Sequence, residues 1–356
     1  MMKAAFAVSS VTKRSAVLGG LTLLLFVMVI VSLGIGAYSI SPGQVLAILS
    51  EVFGLQLPWP FDDGHRAVLE SIRGPRIALG VLIGATLAVS GAAMQGLFRN
   101  PLADPALIGV SSGAALAAVA AIVLETSLLR NVAQILGYYY LPAAAFSGGF
   151  AVTWLVYRFA GSGGRLDIAS LLLAGIAVNA LAGSLTGLLT SIADDQQLRT
   201  LTFWSMGSLG GANWSQVVAG LPFFLLNLLL LPYFSSALNA LLLGEAEAGH
   251  LGFSVETVKT AVIVLVALGV GCCVALGGII GFIGLVVPHL LRLRLGPDHR
   301  IILPGSALLG ASLLLVSDGL ARSLAVPAEI PIGIVTGVLG SPFFLWLLYR
   351  QRMLGG

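Results

Sequence analysis

Apolar runs long enough to cross a lipid bilayer follow one another along this sequence with only short polar breaks between them. A helix rises about 1.5 Å per residue, so about 20 apolar residues cross a hydrocarbon core about 30 Å thick. An unpaired backbone N–H or C=O is costly in that solvent, so each run is predicted to be a helix. Dividing the chain at its charges, prolines and polar clusters predicts ten spans, at 16–37, 76–97, 108–126, 140–159, 168–191, 214–233, 256–276, 278–294, 301–320 and 331–349. The expected fold class is all-α: a polytopic membrane protein with about ten transmembrane helices.

Composition agrees, with 58% hydrophobic and 9% charged residues against about a quarter charged in soluble domains. The breaks are too short to hold separate globular units, so residues 1–356 are expected to form a single transmembrane domain. Cys272 and Cys273 are adjacent inside an apolar run, which suits neither a bridge between distant loops nor a zinc site. The first run follows Lys13 and Arg14 but exceeds the roughly 7–15 residues of a secretory signal core, so it is expected to stay as a span.

Ten spans place both termini on one side, with Lys3, Lys13, Arg14, Arg99, Arg158, Arg165, Lys259, Arg292, Arg294, Arg300, Arg350 and Arg352. The other side carries Arg66, Arg73, Arg76, Arg130, Arg199 and Arg322. Cytoplasmic loops hold the excess of Lys and Arg, so both termini are expected in the cytoplasm.

Small residues recur at G-x-x-x-G spacing at Gly80/Gly84, Gly183/Gly187, Gly277/Gly281 and Gly333/Gly337, which lets helix backbones approach closely in lipid. Three segments do not span. Residues 41–54 read as a short amphipathic helix with Pro42 in its first turn and Val45, Leu46, Leu49 and Phe53 on one face. Residues 194–213 are polar, with Trp204 at an expected membrane interface, and 239–253 form a segment on the side of the termini.

Several chemistries are excluded. No G-x-x-x-x-G-K-[ST] loop is present to cradle nucleotide phosphates, so any ATP must be bound by a partner. Residues 109–113 (GVSSG) match G-x-S-x-G in form but open an apolar helix, where Ser111 or Ser112 suits a helix start better than a nucleophile. His65, His250, His289 and His299 have no metal-binding spacing, and no metal site is expected. His289 follows Pro288 near a span end, where a donor suits the helix dipole. Asp318 and Arg322, at i and i+4, are expected to pair along one helix face. Charges deep within spans are scarce, which disfavours an ion-coupled carrier and a membrane-embedded enzyme and points to energy delivered from outside the chain.

A set of motifs distributed along the chain resembles the iron-siderophore, haem and vitamin B12 permease family of type II ATP-binding-cassette importers. They are Arg73-Gly74-Pro75-Arg76, 84–95 (GATLAVSGAAMQ), 99–105 (RNPLADP) and 108–113 (IGVSSG), then 203–208 (FWSMGS) and 281–285 (GFIGL). Pro288-His289, 298–300 (DHR), Leu303-Pro304 and 329–333 (EIPIG) complete the set.

The resemblance implies a non-enzymatic permease subunit in the cell inner membrane that pairs with a second copy, two ATP-binding-cassette ATPase subunits and a periplasmic binding protein. It implies that Arg73 and Arg76, with Arg322 more loosely, meet acids of the binding protein, and exposed arginines offer planar forks for carboxylates. It places the ATPase-coupling helix at 242–252, with Leu242, Leu243, Gly244, Glu245, Glu247 and His250. It places the cytoplasmic gate at 161–167, with Gly161, Gly163, Gly164 and Arg165, where glycines permit hinging. Residues 194–199 (DDQQLR) and 203–212 (FWSMGSLGGA) look most like haem permeases, so haem is the expected cargo, with a siderophore or vitamin B12 as alternatives. No permanently bound cofactor and no nucleic-acid partner are expected; membrane lipid is.

Overall fold

The computed structural model describes residues 2–354 apart from 37, 52–53, 126, 163–164 and 326–327. Its helices are α1 (Met2–Gly34), α2 (Pro42–Glu51), α3 (Asp63–Ala67), α4 (Gly74–Leu97), α5 (Val110–Leu124), α6 (Arg130–Leu136), α7 (Tyr140–Ala160) and α8 (Ile168–Ser191). They continue with α9 (Asp195–Ser205), α10 (Trp214–Tyr233), α11 (Ser235–Leu241), α12 (Glu245–His250), α13 (Val255–Gly277), α14 (Ile283–Leu295), α15 (His299–Ser323) and α16 (Ile332–Leu354). A π-turn, Val68–Arg73, fuses α3 to α4. Two-residue strands Gly161–Ser162 and Arg165–Leu166 form an antiparallel hairpin before α8.

Seven segments among the described residues are long and apolar enough to cross a membrane: Ser15–Gly34, Asp63–Leu97, Arg130–Ala160, Ile168–Ser191, Trp214–Tyr233, Val255–Gly277 and His299–Ser323. The other three predicted spans correspond to α5, α14 and α16, of which α5 and α14 are shorter helices. Residues 105–109 go to a 3-10 turn and a left-handed Gly109 (φ 85°), leaving α5 with 15 residues, about 22 Å of helix. Residues 278–282 are not helical, with Gly278 and Phe282 at positive φ, so α14 has 13 residues. The predicted span 331–349 falls, but for its first residue, within α16, which has 23 residues. The predicted serine start of α5 is also corrected: Gly109 is the cap, with no side-chain cap, and Ser112 Oγ instead donates to Gly109 O at 3.1 Å inside the first turn.

α4 is the central helix, buried on nearly all sides among α10, α13, α14 and α15. Its small residues make that possible: Gly84 lies against the Gly310 backbone of α15, and Gly91 faces the Gly284 backbone of α14 so closely that no Cβ could fit. Gly113 and Gly148 join α5 to α7 in the same way. Of the predicted G-x-x-x-G glycines, Gly80, Gly84, Gly277 and Gly333 are packed, while Gly183, Gly187 and Gly281 face open space. α2 buries Val45 and Ile48 rather than Leu46, which is exposed; Phe53 lies outside the described residues.

α8 is peripheral. Leu173, Ile176, Leu181, Leu185 and Leu188 are exposed along it, a continuous apolar face suited to lipid or another subunit.

Candidate functional site

α4 and α15 run antiparallel, so the start of α4 meets the end of α15, and polar side chains gather there. Arg76 donates from Nε and Nη2 to Asp318 Oδ1 at 3.0 and 2.8 Å, and from Nη1 to Glu329 Oε1 at 2.8 Å. Asp318, 1% exposed, also lies 3.0 Å from Arg322 Nε, which realises the predicted i, i+4 pair. Arg322 donates to Ile35 O at 2.6 Å and to Ser32 O and Oγ at 3.1 and 2.9 Å. Arg73 donates to Leu33 O at 2.6 Å, to Gly34 O at 2.9 Å and to Tyr38 O.

The expectation that Arg73, Arg76 and Arg322 present exposed forks is therefore corrected: all three side chains are buried and their donors serve this chain's own acceptors. The last carbonyls of a helix have no intrahelical partner and favour cations. Arg73 and Arg322 take those of α1, while Arg76 is drawn to the buried Asp318. Glu329 is the half-exposed member of the cluster.

At the opposite end, α12 and the residues on either side of it, following α11, form the segment predicted to couple. Ala248 is fully buried, while Leu242, Leu243, Glu247 and His250 are exposed, so the segment is pinned from within and presents a mixed apolar and acidic surface. Gly244 breaks the chain between the two helices at φ 136°, a conformation that glycine adopts without strain.

Behind this surface sits Lys259 of α13, 2% exposed. Its ammonium donates to Glu245 Oε2 at 2.7 Å, to Glu256 Oε1 at 3.2 Å and to Leu166 O at 2.8 Å. Glu256 Oε2 accepts from Leu166 N at 2.7 Å. Leu166 belongs to the hairpin predicted as the gate, in which Gly161 pairs with Leu166 and Ser162 with Arg165; Gly163 and Gly164 lie outside the described residues. Asp167 then caps α8, accepting from Ser170 N at 2.8 Å and Ser170 Oγ at 2.7 Å, and these bonds hold its carboxyl below the usual carboxylate range.

A second node joins α11 to α15. Asn239 Nδ2 donates to Asp298 Oδ1 at 2.7 Å, and Asn239 Oδ1 accepts from His299 N at 2.8 Å and lies 2.9 Å from His299 Nδ1. Arg292 of α14 extends this node to α4 through Ala92 O at 3.2 Å and Gln95 Oε1. In the sequence Lys259 is one of the charges on the side of the termini, and nothing there marks Asn239 or Gln95 as a partner of a distant element. A Glu256/Lys259 pair at i, i+3 was the available signal for Lys259; the partners of Asn239 are 59 and 60 residues away and leave none.

Among the described residues no group of three His, Cys, Asp or Glu could hold a metal ion. His289 is buried beside Phe343, its ring centroid 5.9 Å away, with no hydrogen-bond partner for either ring nitrogen. A cavity of about 590 Å³ lies under α9, lined by Tyr138, Arg199, Phe203, Trp204 and Gln216 among others.

A bundle of apolar helices, seven of them among the described residues long and apolar enough to cross a membrane, with polar clusters at its two ends, has the build of a multi-pass membrane protein. The FecCD transport family model matches residues 24–350, and the chain belongs to that family. It is 46% identical to the hemin transport system permease protein HmuU of Yersinia pestis over 335 residues, 94% of this chain and 96% of that one. It is 40% identical to the cobalamin import system permease protein BtuC of Halobacterium salinarum, over 88% of this chain and 81% of the relative. Among solved structures it is similar to an inward-facing metal-chelate type ABC transporter, at 37% identity and a TM-score of 0.81, covering 94% of this chain and 99% of that one. The chain is thus a permease subunit of a type II ABC importer in the inner membrane.

Proposed function

We propose that this permease imports haem, moving it from a periplasmic haem-binding protein to the cytoplasm by alternating access. The observation that carries this reading is the 46% identity to a hemin permease over 94% of the chain. Residues 194–212, which supply α9 and part of the cavity wall, carry the same signal in the sequence. Tyr138, Phe203 and Trp204 give that wall flat apolar surface suited to a large planar ligand.

In this reading two copies of the chain pair, with both termini cytoplasmic, and two separate ATPase subunits bind and hydrolyse ATP. Closure of the ATPase pair pushes on Leu242, Leu243, Gly244, Glu245, Glu247 and His250. The segment holding Gly161, Gly163, Gly164 and Arg165 opens and closes the pathway. The binding protein docks on the opposite face near Glu329, with Arg73, Arg76 and Arg322 shaping that face from beneath. Siderophore or vitamin B12 import is the second reading, the vitamin B12 arm of it supported by the 40% identity to cobalamin permeases.

Co-purification tests the assembly. The chain is expected to retain its ATPase and a haem-loaded binding protein together in detergent. Capture of a binding protein loaded with a siderophore but not with haem would move the cargo to the second reading.

A further inference from the structure

We propose that Lys259 is the positioning residue that carries movement of the coupling helix α12 to the gate hairpin at 161–166. The inference rests on the coupling and gate roles proposed above and adds the physical connection between them.

Three separate elements meet on one buried ammonium. A lysine head group has three N–H donors and no acceptor. Here they serve Glu245 at the first turn of α12, Glu256 on α13 and the main-chain carbonyl of Leu166 in the hairpin. Glu256 then accepts from the Leu166 N–H through its other oxygen, so the hairpin strand is held at both its N–H and its C=O. The grip is on backbone rather than on a rotatable side chain, and a displacement of Lys259 therefore moves the strand itself.

Burial makes the link stiff. An ammonium that is 2% exposed is costly to leave under-partnered. Moving α12 away from the hairpin would strip either Glu245 or the Leu166 carbonyl from that charge, so the two elements move together. The next residue, Asp167, caps α8 through Ser170, and the displacement passes directly into the first turn of α8. α8 carries the long exposed apolar face, so the relay runs from a surface suited to a partner protein to a helix bordering lipid or the second subunit.

The test uses the assembled transporter, this chain with its ATPase and binding protein in proteoliposomes. A spin label at G161C reports the separation of the two hairpins with and without trapped nucleotide. In the parent the separation is expected to shift with nucleotide. In Glu245→Ala and Lys259→Met the shift is expected to vanish and uptake to fall about tenfold, inside the roughly 5- to 150-fold span of ordinary coupling energies. ATPase activity is expected to stay within about twofold of the parent in Lys259→Met, whose side chain is buried behind the ATPase-facing surface. Lys259→Arg, whose guanidinium can serve the same acceptors, is expected to restore most of the shift. Hairpins that still respond fully in both Glu245→Ala and Lys259→Met would overturn the proposal. A parent whose hairpins do not respond would instead overturn the gate reading on which it rests. Should Lys259→Met not assemble, Glu245→Ala carries the test, because Lys259 then keeps Glu256 and the Leu166 carbonyl.

Discussion

Arg76 and Asp318 are 242 residues apart in the chain and 2.8 Å apart in space, joining the first turn of α4 to the last turns of α15. Both side chains are buried, and the same carboxylate also neutralises Arg322. Asp318 therefore bridges two arginines at the end of the most extensive helix pair in the bundle, with Glu329 as a second acid on Arg76.

Asp318→Ala is expected to be the more damaging substitution in this cluster, because it takes a buried carboxylate from two guanidiniums at once. It leaves Arg76 the half-exposed Glu329 and Arg322 only neutral acceptors. Breaking a buried ion pair by removing one partner costs about 3–5 kcal/mol. Arg76→Ala is expected to cost less than Asp318→Ala, since Asp318 keeps Arg322. Thermal unfolding of the purified transporter in detergent measures both; equal midpoints for Asp318→Ala and the parent would remove the cluster from the account of stability.

Glu329→Gln separates structure from docking. Its carboxylate is half-exposed and Arg76 keeps Asp318, so stability is expected to change by less than about 1 kcal/mol. The neutral amide holds Arg76 Nη1 less strongly than the carboxylate does, leaving the guanidinium charge to an acid of the binding protein, and affinity for that protein is expected to rise. Unchanged affinity in a titration of binding protein against reconstituted permease would take Arg76 out of the docking surface.

Gly91→Ala drives a methyl group into the Gly284 backbone, where neither helix has a side chain to rotate away. Overpacking of this kind costs about 1–3 kcal/mol or more. Gly20→Ala in α1 meets nothing within 4 Å and is expected to be neutral within about 0.5 kcal/mol. Matched melting curves compare the two, and a Gly91→Ala midpoint no lower than that of Gly20→Ala would show that the close approach to Gly284 does not govern this position.

Asn239→Ala removes the acceptor shared by the His299 backbone and ring and the donor to Asp298. His299 is fully buried, so its orphaned groups should cost about 1–3 kcal/mol. Protease sensitivity near α11 is expected to rise, and an unchanged cleavage pattern would mean that the node does not hold α11 in place.

The spans were legible wherever a run was both apolar and uninterrupted: 168–191 and 214–233 coincide with α8 and α10. The starts of other spans are displaced where backbone geometry intervenes. Gly109 and the 278–282 stretch look apolar in the sequence, but positive φ angles break the helix there. The candidate sites were legible as motifs and not as environments. Arg73, Arg76 and Arg322 read as surface charges because the carbonyls at the end of α1 and the carboxylate on α15 come near them only after folding. Lys259 was hidden for the same reason, since Leu166 is 93 residues away along the chain.

Cargo transport itself is the most direct measurement: uptake into vesicles containing this chain, its ATPase and its binding protein, with ATP on the ATPase side. The account predicts ATP-dependent accumulation of haem, with no comparable accumulation of a ferric siderophore or vitamin B12. Binding-protein-stimulated ATPase activity with siderophore or B12 accumulating in place of haem would contradict it.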